Sequence, residues 1–335
     1  MKLLVTGGAG FIGSNFIRCM HTRHPQYALT NFDALTYAGN LENLSDIPES
    51  SSYRFVRGDI RDRQAVNSLL SAGFDAIINF AAESHVDRSI DNAAVFVETN
   101  VLGTQVLLDA ALRNKVPLYM QVSTDEVYGS LGSEGLFTEG TPLAPNSPYS
   151  ASKASADLFV RAWHETFGLK TLITRCSNNY GPYQFPEKLI PLFITNALAD
   201  AHLPLYGDGL NVRDWIYVED HCSAIDTVLH HGRPGEIYNV GGNAEKTNRE
   251  ITGTILQQLG KPESLIRHVA DRPGHDRRYA IDNTKIRQEL GWQPAHDFES
   301  GMRATIQWYL DNAQWWQRVK SGAYREFHER WYKQR

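Results

Sequence analysis

Cysteine is scarce in this chain. Cys19, Cys176 and Cys222 are too few and too widely separated for a disulfide framework, and no C-x-x-C pair indicates zinc. The twelve histidines show no H-E-x-x-H or similar ligand spacing. We therefore predict no disulfide framework and no metal site.

Long apolar runs and excess positive charge are also missing. No apolar stretch approaches the ~20 residues of a membrane span. The first residues, Met1 to Val5, lead straight into a predicted strand and leave no room for a signal peptide. The net charge of -5 argues against nucleic acid or an anionic membrane as the main partner, although converging Arg and Lys side chains could still hold a small anion. We expect a soluble, cytoplasmic protein.

What the sequence does contain is a regular alternation of strands and helices. Its 335 residues suffice for one large domain or two modest ones. Strands are predicted at 2–6, 28–32, 53–56, 75–80, 117–122 and 171–174. Helices are predicted at 14–24, 63–72, 93–114 and 150–167. This pattern predicts an α/β fold with a Rossmann-type doubly wound parallel sheet.

Beyond residue 178 the alternation weakens, and proline and glycine become frequent. This favours a smaller mixed α/β domain with helices at about 247–259 and 299–312. The segment from about 213 to 242 is expected to return to the main sheet. The predicted domains are therefore 1–178 plus about 213–242, and about 179–212 plus 243–335.

A glycine-rich turn follows the first predicted strand. Gly7, Gly10 and Gly13 give the spacing G-x-x-G-x-x-G before a predicted helix, so backbone amides and a helix N-terminus can face a pyrophosphate. Asp33 ends the next apolar run, where a carboxylate would bind ribose hydroxyls and repel a 2′-phosphate, which favours NAD over NADP. The alternative is a turn that merely requires glycine.

Two further groups of residues suggest chemistry. Thr124, Asp125 and Glu126 follow a predicted buried strand, at the end where ligands bind in such sheets. Tyr149 and Lys153 share one face of a helix. An ammonium ~4 Å from the phenol would lower its usual pKa of about 10 by about three units, making Tyr149 a base for a sugar hydroxyl. The alternatives are a polar turn and a solvated helix face.

Together these residues resemble the extended short-chain dehydrogenase/reductases. Further motifs narrow the resemblance to nucleotide-sugar 4,6-dehydratases, and it spans nearly the whole chain. These motifs are LTYAGN at 35–40, AAESHVDRS at 81–89, STDEVYG at 123–129, NNYGPY at 178–183, PEKLIP at 186–191 and DRPGHD at 271–276. The segments near 113–117 and 130–137 are shorter than in many members.

The resemblance implies dTDP-glucose as substrate and a lyase reaction. NAD oxidises C4 of the glucosyl ring while Tyr149 acts as base, tuned by Lys153, and Thr124 hydrogen-bonds the same oxygen. Glu126 then removes the C5 proton, protonated Asp125 assists departure of the C6 hydroxyl, and hydride returns to C6. Adjacent carboxylates repel each other, which is consistent with one protonated and one ionised member.

The resemblance also implies the binding residues, position by position. For NAD they are Gly7, Gly10, Phe11, Ile12, Gly13, Asp33, Ala34, Leu35, Thr36, Asp59, Ile60, Ala81, Ala82, Ser84, Thr99, Tyr149, Lys153 and Asn179. For the sugar nucleotide they are Ser84, Thr124, Asn178, Lys188, Leu189, Pro204, Tyr206, Arg213, Asn248, Arg272 and His275. Lys188, Arg213 and Arg272 carry the positive charge that a diphosphate requires. A homodimer is implied, formed through a four-helix bundle of helices 93–114 and 150–167.

Two other functions deserve comparison. A nucleotide-sugar 4-epimerase also needs NAD, Tyr149 and Lys153, but it has no use for the acid and base at Asp125 and Glu126. A catalytically silent NAD-binding regulator would need none of these side chains. The sequence therefore favours a dehydratase.

Overall fold

A seven-stranded parallel sheet is the centre of the fold. The computed structural model describes residues 1–320. The strands of the described chain, in the large sheet and in two smaller ones, are β1 (Lys2–Thr6), β2 (Ala28–Asp33), β3 (Tyr53–Arg57), β4 (Ala76–Asn79), β5 (Leu118–Thr124), β6 (Thr171–Cys176), β7 (Asn178–Tyr180), β8 (Leu203–Tyr206), β9 (Val212–Tyr217), β10 (Ile237–Val240), β11 (Glu245–Thr247) and β12 (Ile266–Val269). The sheet order β10-β6-β5-β4-β1-β2-β3 confirms the doubly wound prediction.

Helices cover both faces of this sheet. They are α1 (Phe11–Arg23), α2 (Arg63–Leu70), α3 (Val86–Asp91), α4 (Ala94–Phe96), α5 (Thr104–Arg113), α6 (Pro148–Phe167), α7 (Leu189–Leu198), α8 (Val218–His231), α9 (Asn248–Leu259), α10 (Thr284–Leu290), α11 (Phe298–Asp311) and α12 (Ala313–Val319). Leu3 and Val5 of β1 belong to one buried cluster and Leu4 to another. Successive strand side chains point to opposite faces, so a sheet buried on both sides reads as a continuous apolar run.

The strand register brings the carboxyl ends of neighbouring strands to one edge. Thr6 pairs with both Phe32 and Asn79, and Thr124 pairs with Cys176. The glycine turn after β1, Asp33 at the end of β2 and the Thr124 segment after β5 therefore lie along the same edge. This edge is where ligands bind in open α/β sheets.

A second hydrophobic core lies outside the large sheet, around Tyr180, Phe193, Trp215 and Tyr309. Two small sheets accompany it, a three-stranded one of order β11-β9-β7 and a two-stranded one of β12 and β8. Of the segment expected to rejoin the main sheet, β10 does so, whereas β9 belongs to the three-stranded sheet.

The helical stretch Ala94–Arg113 departs from one expectation. By length and composition alone it could cross a membrane, although no such run was expected from the sequence. It includes a π-helical segment, Val97–Gly103, between α4 and α5. Half of its most apolar part is buried inside the protein, and helices of a protein core can be equally long and apolar.

Candidate active site

The glycine turn between β1 and α1 forms a cradle for a phosphate group. Gly7 has φ +69°, and a Cβ there would lie 2.6 Å from the Ala81 nitrogen. A Cβ at Gly13 would lie 2.3 Å from the Gly7 carbonyl oxygen. Only glycine fits these two positions. No side chain caps the start of α1 at Gly10, so the helix N-terminus can bind a pyrophosphate, and these residues fit NAD.

Asp33 has a structural role that its sequence position did not reveal. One carboxylate oxygen accepts the Ala9 N–H at 2.9 Å, and the other accepts the Leu35 N–H at 2.8 Å. Burial raises the pKa of Asp33, and the two backbone N–H groups oppose that shift. Asp33, which was predicted to bind the ribose of NAD, therefore also connects the glycine turn to the end of β2.

A cavity of about 600 Å³ extends from this turn towards the second core. All the site residues predicted from the sequence line it, with the exception of Leu35. Leu35 sits beside the cavity with φ 53°, and its N–H is bound by Asp33. Asp59 lines the cavity while pairing with Arg61 at 2.7 Å.

The structure positions Tyr149 and Lys153 through the start of α6. Ser147 and Ser150 form a reciprocal capping box, and Pro148 occupies the first turn, which fixes where the helix begins. Tyr149 is 8% exposed and Lys153 4% exposed. The Lys153 ammonium donates to the Val122 carbonyl oxygen of β5 at 2.8 Å. The active face of α6 is thereby fixed to the neighbouring strand.

The predicted fall in the pKa of Tyr149 is wrong for this structure. Burial raises the pKa of Tyr149 well above its usual value, and the nearby charge of Glu126 adds to the rise. The Thr124 hydroxyl acts in the opposite direction. Burial also lowers the pKa of Lys153. Desolvation therefore outweighs the attraction that the helical spacing alone suggested.

Thr124, Asp125 and Glu126 occupy the turn that leaves β5. The Thr124 hydroxyl caps this turn by accepting the Glu126 N–H at 3.3 Å. Asp125 is 1% exposed, and its Oδ2 has no hydrogen-bond partner among the residues described. The turn thus holds a buried carboxyl group whose second oxygen is available to a ligand.

The two carboxyl groups differ in the charges around them. Burial, and then the charges of Glu126 and Asp214, raise the pKa of Asp125 well above its usual value. Burial also raises the pKa of Glu126, but Arg272, Lys188 and Arg213 oppose that rise. Because the three cations favour an ionised Glu126, the arrangement suits a protonated Asp125 beside an ionised Glu126.

These three cations come from separate segments of the chain. The Lys188 ammonium donates to the Ser84 carbonyl oxygen at 2.6 Å. Arg213 donates to the Asp276 carbonyl oxygen at 2.9 Å and stacks over the Tyr279 ring at 4.1 Å. Their convergence supplies positive charge for an anionic ligand inside an acidic protein.

His275 joins this group as a neutral side chain. Burial, with the charges of Arg272 and Arg213, lowers its pKa to about 4. Its Nδ1 lies 2.5 Å from an Asp271 oxygen, and its ring meets the Tyr206 ring edge-on. His275 can therefore offer hydrogen bonding and ring contact, but little charge near neutral pH.

Several lining residues were missed from the sequence. Asp87 contacts both Arg272 and Tyr206, and Glu187 contacts Arg88. Asp87 and Glu187 lie within motifs found in the sequence. Spacing along the chain, however, does not indicate contacts between residues so far apart. Tyr279 does not line the cavity, but it donates to an Asp276 oxygen at 2.5 Å and stacks under Arg213, and the sequence carried no signal for this role.

One group of potential metal ligands occurs among the described residues. His24, Asp226 and His230 bring their ligand atoms within 4.8 Å of one another. Both imidazoles contact Asp226, and Tyr27 contacts the far nitrogen of His230 at 2.9 Å. The sequence prediction of no metal did not anticipate this cluster, since His24 lies more than 200 residues from its partners.

Comparisons with known proteins agree with this geometry. The family model described as GDP-mannose 4,6 dehydratase matches residues 4–305. A dTDP-glucose 4,6-dehydratase from Streptomyces niveus is 53% identical over 325 residues, which cover 96% of each chain. One from Xanthomonas campestris pv. campestris is 55% identical over 341 residues, covering 96% of this chain and 97% of that protein. The structure of a Streptomyces venezuelae dTDP-glucose 4,6-dehydratase with NAD bound has a TM-score of 0.93 at 55% identity, covering 96% of this chain and all of that one.

Proposed function

This chain belongs to the GDP-mannose 4,6 dehydratase family, and we propose that it acts as a dTDP-glucose 4,6-dehydratase. It converts dTDP-glucose to dTDP-4-keto-6-deoxyglucose and water, as a lyase. The observation that carries this proposal is the Asp125–Glu126 pair, which lines the same cavity as Tyr149, with the charges of three cations acting on Glu126. Full-length similarity to enzymes of that name supports the substrate.

Three groups of residues in the cavity have separate roles, in cofactor binding, in oxidation at C4 and in loss of water. The glycine turn and Asp33 hold NAD. When bound, NAD⁺ would supply a hydride acceptor for C4 and, once reduced, a hydride donor for C6, where the addition is balanced by return of a proton to C5; its positive ring would also favour the ionised form of Tyr149. Tyr149 takes the proton of the C4 hydroxyl, and Thr124 hydrogen-bonds the same oxygen. Lys153, fixed to β5 through Val122, keeps positive charge on that helix face.

Water loss is then assigned to the pair on the β5 turn. A C4 ketone acidifies the C5 hydrogen, which Glu126 removes as general base. Asp125, the more strongly protonated of the two, donates to the departing C6 hydroxyl. Lys188, Arg213 and Arg272 bind the diphosphate and help to keep Glu126 ionised. The charges around the pair thereby favour a protonated Asp125 beside an ionised Glu126.

A 4-epimerase is the nearest alternative function. It would use the same cofactor site with Tyr149 and Lys153, but it has no step for an acid and a base at C5 and C6. The presence of both Asp125 and Glu126 in the cavity lining favours the dehydratase.

The division into two domains and the homodimer are also part of the proposal. Two separate hydrophobic cores support the domains. Exposed apolar side chains on adjacent helices support the dimer, namely Val97 at 56% and Leu102 at 44% in one, and Leu158 at 57% and Phe167 at 51% in α6. We further propose that the enzyme is soluble and works in the cytoplasm.

The test is incubation with dTDP-glucose carrying deuterium at C4. The label should reappear at C6 of the same molecule, as read by mass spectrometry of the product. Conversion only to the galactose isomer, or no turnover of any nucleotide sugar by protein that binds NAD well, would overturn the proposal.

A further inference from the structure

Asp87, in α3, is a charged residue with only 1% of its surface exposed. Its two carboxylate oxygens accept from two different side chains. Oδ1 accepts from the Arg272 guanidinium at 3.1 Å, and Oδ2 accepts from the Tyr206 hydroxyl at 2.9 Å. Both partners line the cavity and were predicted to contact the sugar nucleotide. A single buried carboxylate therefore joins two ligand-facing side chains that are distant in sequence.

We propose that Asp87 is a positioning residue that holds Arg272 and Tyr206 in place for the nucleotide diphosphate. This inference rests on the proposed function, because it takes the sugar nucleotide to bind beside Arg272. Asp87 acts through its two partners rather than on the reacting carbons. A side chain already fixed in its bound geometry loses less conformational freedom when the ligand arrives.

Arg272 needs such an anchor because a second carboxylate competes for it. Asp87 and Glu126 are the two largest negative charges acting on the guanidinium, in that order. Glu126 is the proposed base and requires an unpaired carboxylate. The Arg272 Nε is buried without a hydrogen-bond partner among the residues described. Asp87 thus accepts from one nitrogen of the guanidinium and holds the group in the cavity lining.

Residues next to Asp87 in the chain make further contacts with the neighbouring part of the cavity lining. The Ser84 carbonyl oxygen receives the Lys188 ammonium at 2.6 Å. Arg88 donates to Glu187, which is 6% exposed, at 3.2 Å. Residues 84–88 therefore contact three parts of the cavity lining, namely Lys188, Glu187 and the Arg272–Tyr206 pair. Asp87 makes the contact with Arg272. Removing one member of such a buried pair leaves the other charge uncompensated.

The test compares Asp87→Asn with the parent protein, both loaded with NAD. The variant keeps the size of the side chain and removes its charge. We expect dTDP, measured by calorimetry, to bind at least tenfold more weakly, and KM for dTDP-glucose to rise by a similar factor. The kcat should stay within about threefold, because bound diphosphate restores the position of Arg272. NAD content and unfolding temperature report on folding.

Asp208→Asn is the matched control. Asp208 pairs with Arg277 at 2.9 Å, but both side chains are about half exposed and neither lines the cavity. This variant should keep the parental KM. In an Arg272→Gln background, Asp87→Asn should change KM by less than twofold, because the two substitutions break the same contact.

Asp87→Glu retains the charge and should give a KM between those of the parent and Asp87→Asn. A folded Asp87→Asn with parental dTDP affinity overturns the inference. So does an unfolded Asp87→Asn together with a fully parental Asp87→Glu, since Asp87 would then serve folding alone. If the parent itself neither binds dTDP nor turns over dTDP-glucose, the proposed function fails instead.

Discussion

At the scale of single residues, two neighbouring carboxyl groups have different electrostatic surroundings. Asp125 faces the negative charges of Glu126 and Asp214, whereas Glu126 faces Arg272, Lys188 and Arg213. Asp125 is buried and Glu126 half-buried, and desolvation favours the neutral form of each. The surrounding charges therefore decide which of the two loses its proton first.

Asp125→Asn and Glu126→Gln should separate oxidation from water loss. Each keeps the shape of the side chain and removes its capacity to transfer a proton. We expect C4 oxidation, followed by nicotinamide absorbance in a single turnover, to stay within about tenfold of the parent. Formation of the 4-keto-6-deoxy product should fall about 100-fold or more, the usual contribution of general acid–base catalysis. Water loss at the parental rate in both variants would contradict the assigned roles.

Asp125→Asn should also change stability in a pH-dependent way. The pKa of Asp125 in the folded protein is raised above its unfolded value of about 4. The stability associated with this group is thus fully present below pH about 4 and is lost as pH rises towards the folded pKa. Asparagine does not titrate. The variant should therefore gain in unfolding temperature relative to the parent between pH 4 and pH 7.

Thermal unfolding of both NAD-loaded proteins at several pH values measures this gain. Asp208→Asn, which removes an exposed carboxylate whose pKa is lowered through its hydrogen bonds with Arg277, should show no such gain. A parent that becomes more stable than Asp125→Asn as pH rises would show that Asp125 is held ionised.

At the scale of elements, α6 holds Tyr149 and Lys153, the proposed catalytic pair, on a helix whose first turn is fixed. The Ser147 hydroxyl accepts the Ser150 N–H at 3.1 Å, and the Ser150 hydroxyl accepts the Ser147 N–H at 3.0 Å. Further along the helix, buried Asp157 accepts from Arg175 of β6 at 2.9 Å. The helix is thus capped at its start and fixed to the sheet at two points, through Lys153 and Asp157.

Ser147→Ala should loosen the start of this helix. Loss of an N-cap hydroxyl costs about 1 kcal/mol, so we expect a lower unfolding temperature. Amide exchange should accelerate at 148–153, and kcat should fall several-fold as Tyr149 becomes less well placed. Ser155→Ala is the control, because Ser155 lies in the middle of the same helix, is half-buried, and donates to the Ala151 carbonyl oxygen four residues earlier. Equal effects of the two substitutions would exclude a special role for the cap.

At the scale of the whole molecule, one surface stands out for its apolar character. The stretch Ala94–Arg113 and the helix α6 both expose large apolar side chains while packing into the same protein core. Exposed apolar side chains grouped on adjacent helices are typical of association surfaces. A second copy of the chain is the proposed occupant.

Leu158→Glu should therefore produce monomers. Leu158 is 57% exposed on α6, so the new charge costs little within one subunit but would be desolvated in a dimer interface. Sedimentation of the parent should give a dimer and that of the variant a monomer, with the fold retained by circular dichroism. Leu310→Glu, at an exposed site on α11, should leave the dimer intact. A monomeric parent would end the dimer proposal.

Local pattern predicted much of the fold and part of the candidate site, and the family resemblance supplied most of the other site residues. The glycine turn, Asp33 and the Tyr149–Lys153 pair are features of short segments, and the alternating apolar runs gave the sheet. The strands β8, β9 and β12 were harder to foresee, because short strands in small sheets depend on partners far away in the chain.

The sequence by itself determined the local features that present the candidate site residues, because turn chemistry and helical spacing depend on short segments. Only the tertiary structure decided their electrostatic state. Burial reversed the expected pKa shift of Tyr149, and three distant cations converged on Glu126. Asp87 likewise met Arg272 and Tyr206 only through folding. Desolvation and charge–charge interaction depend on distances in space, and spacing along the chain does not contain those distances.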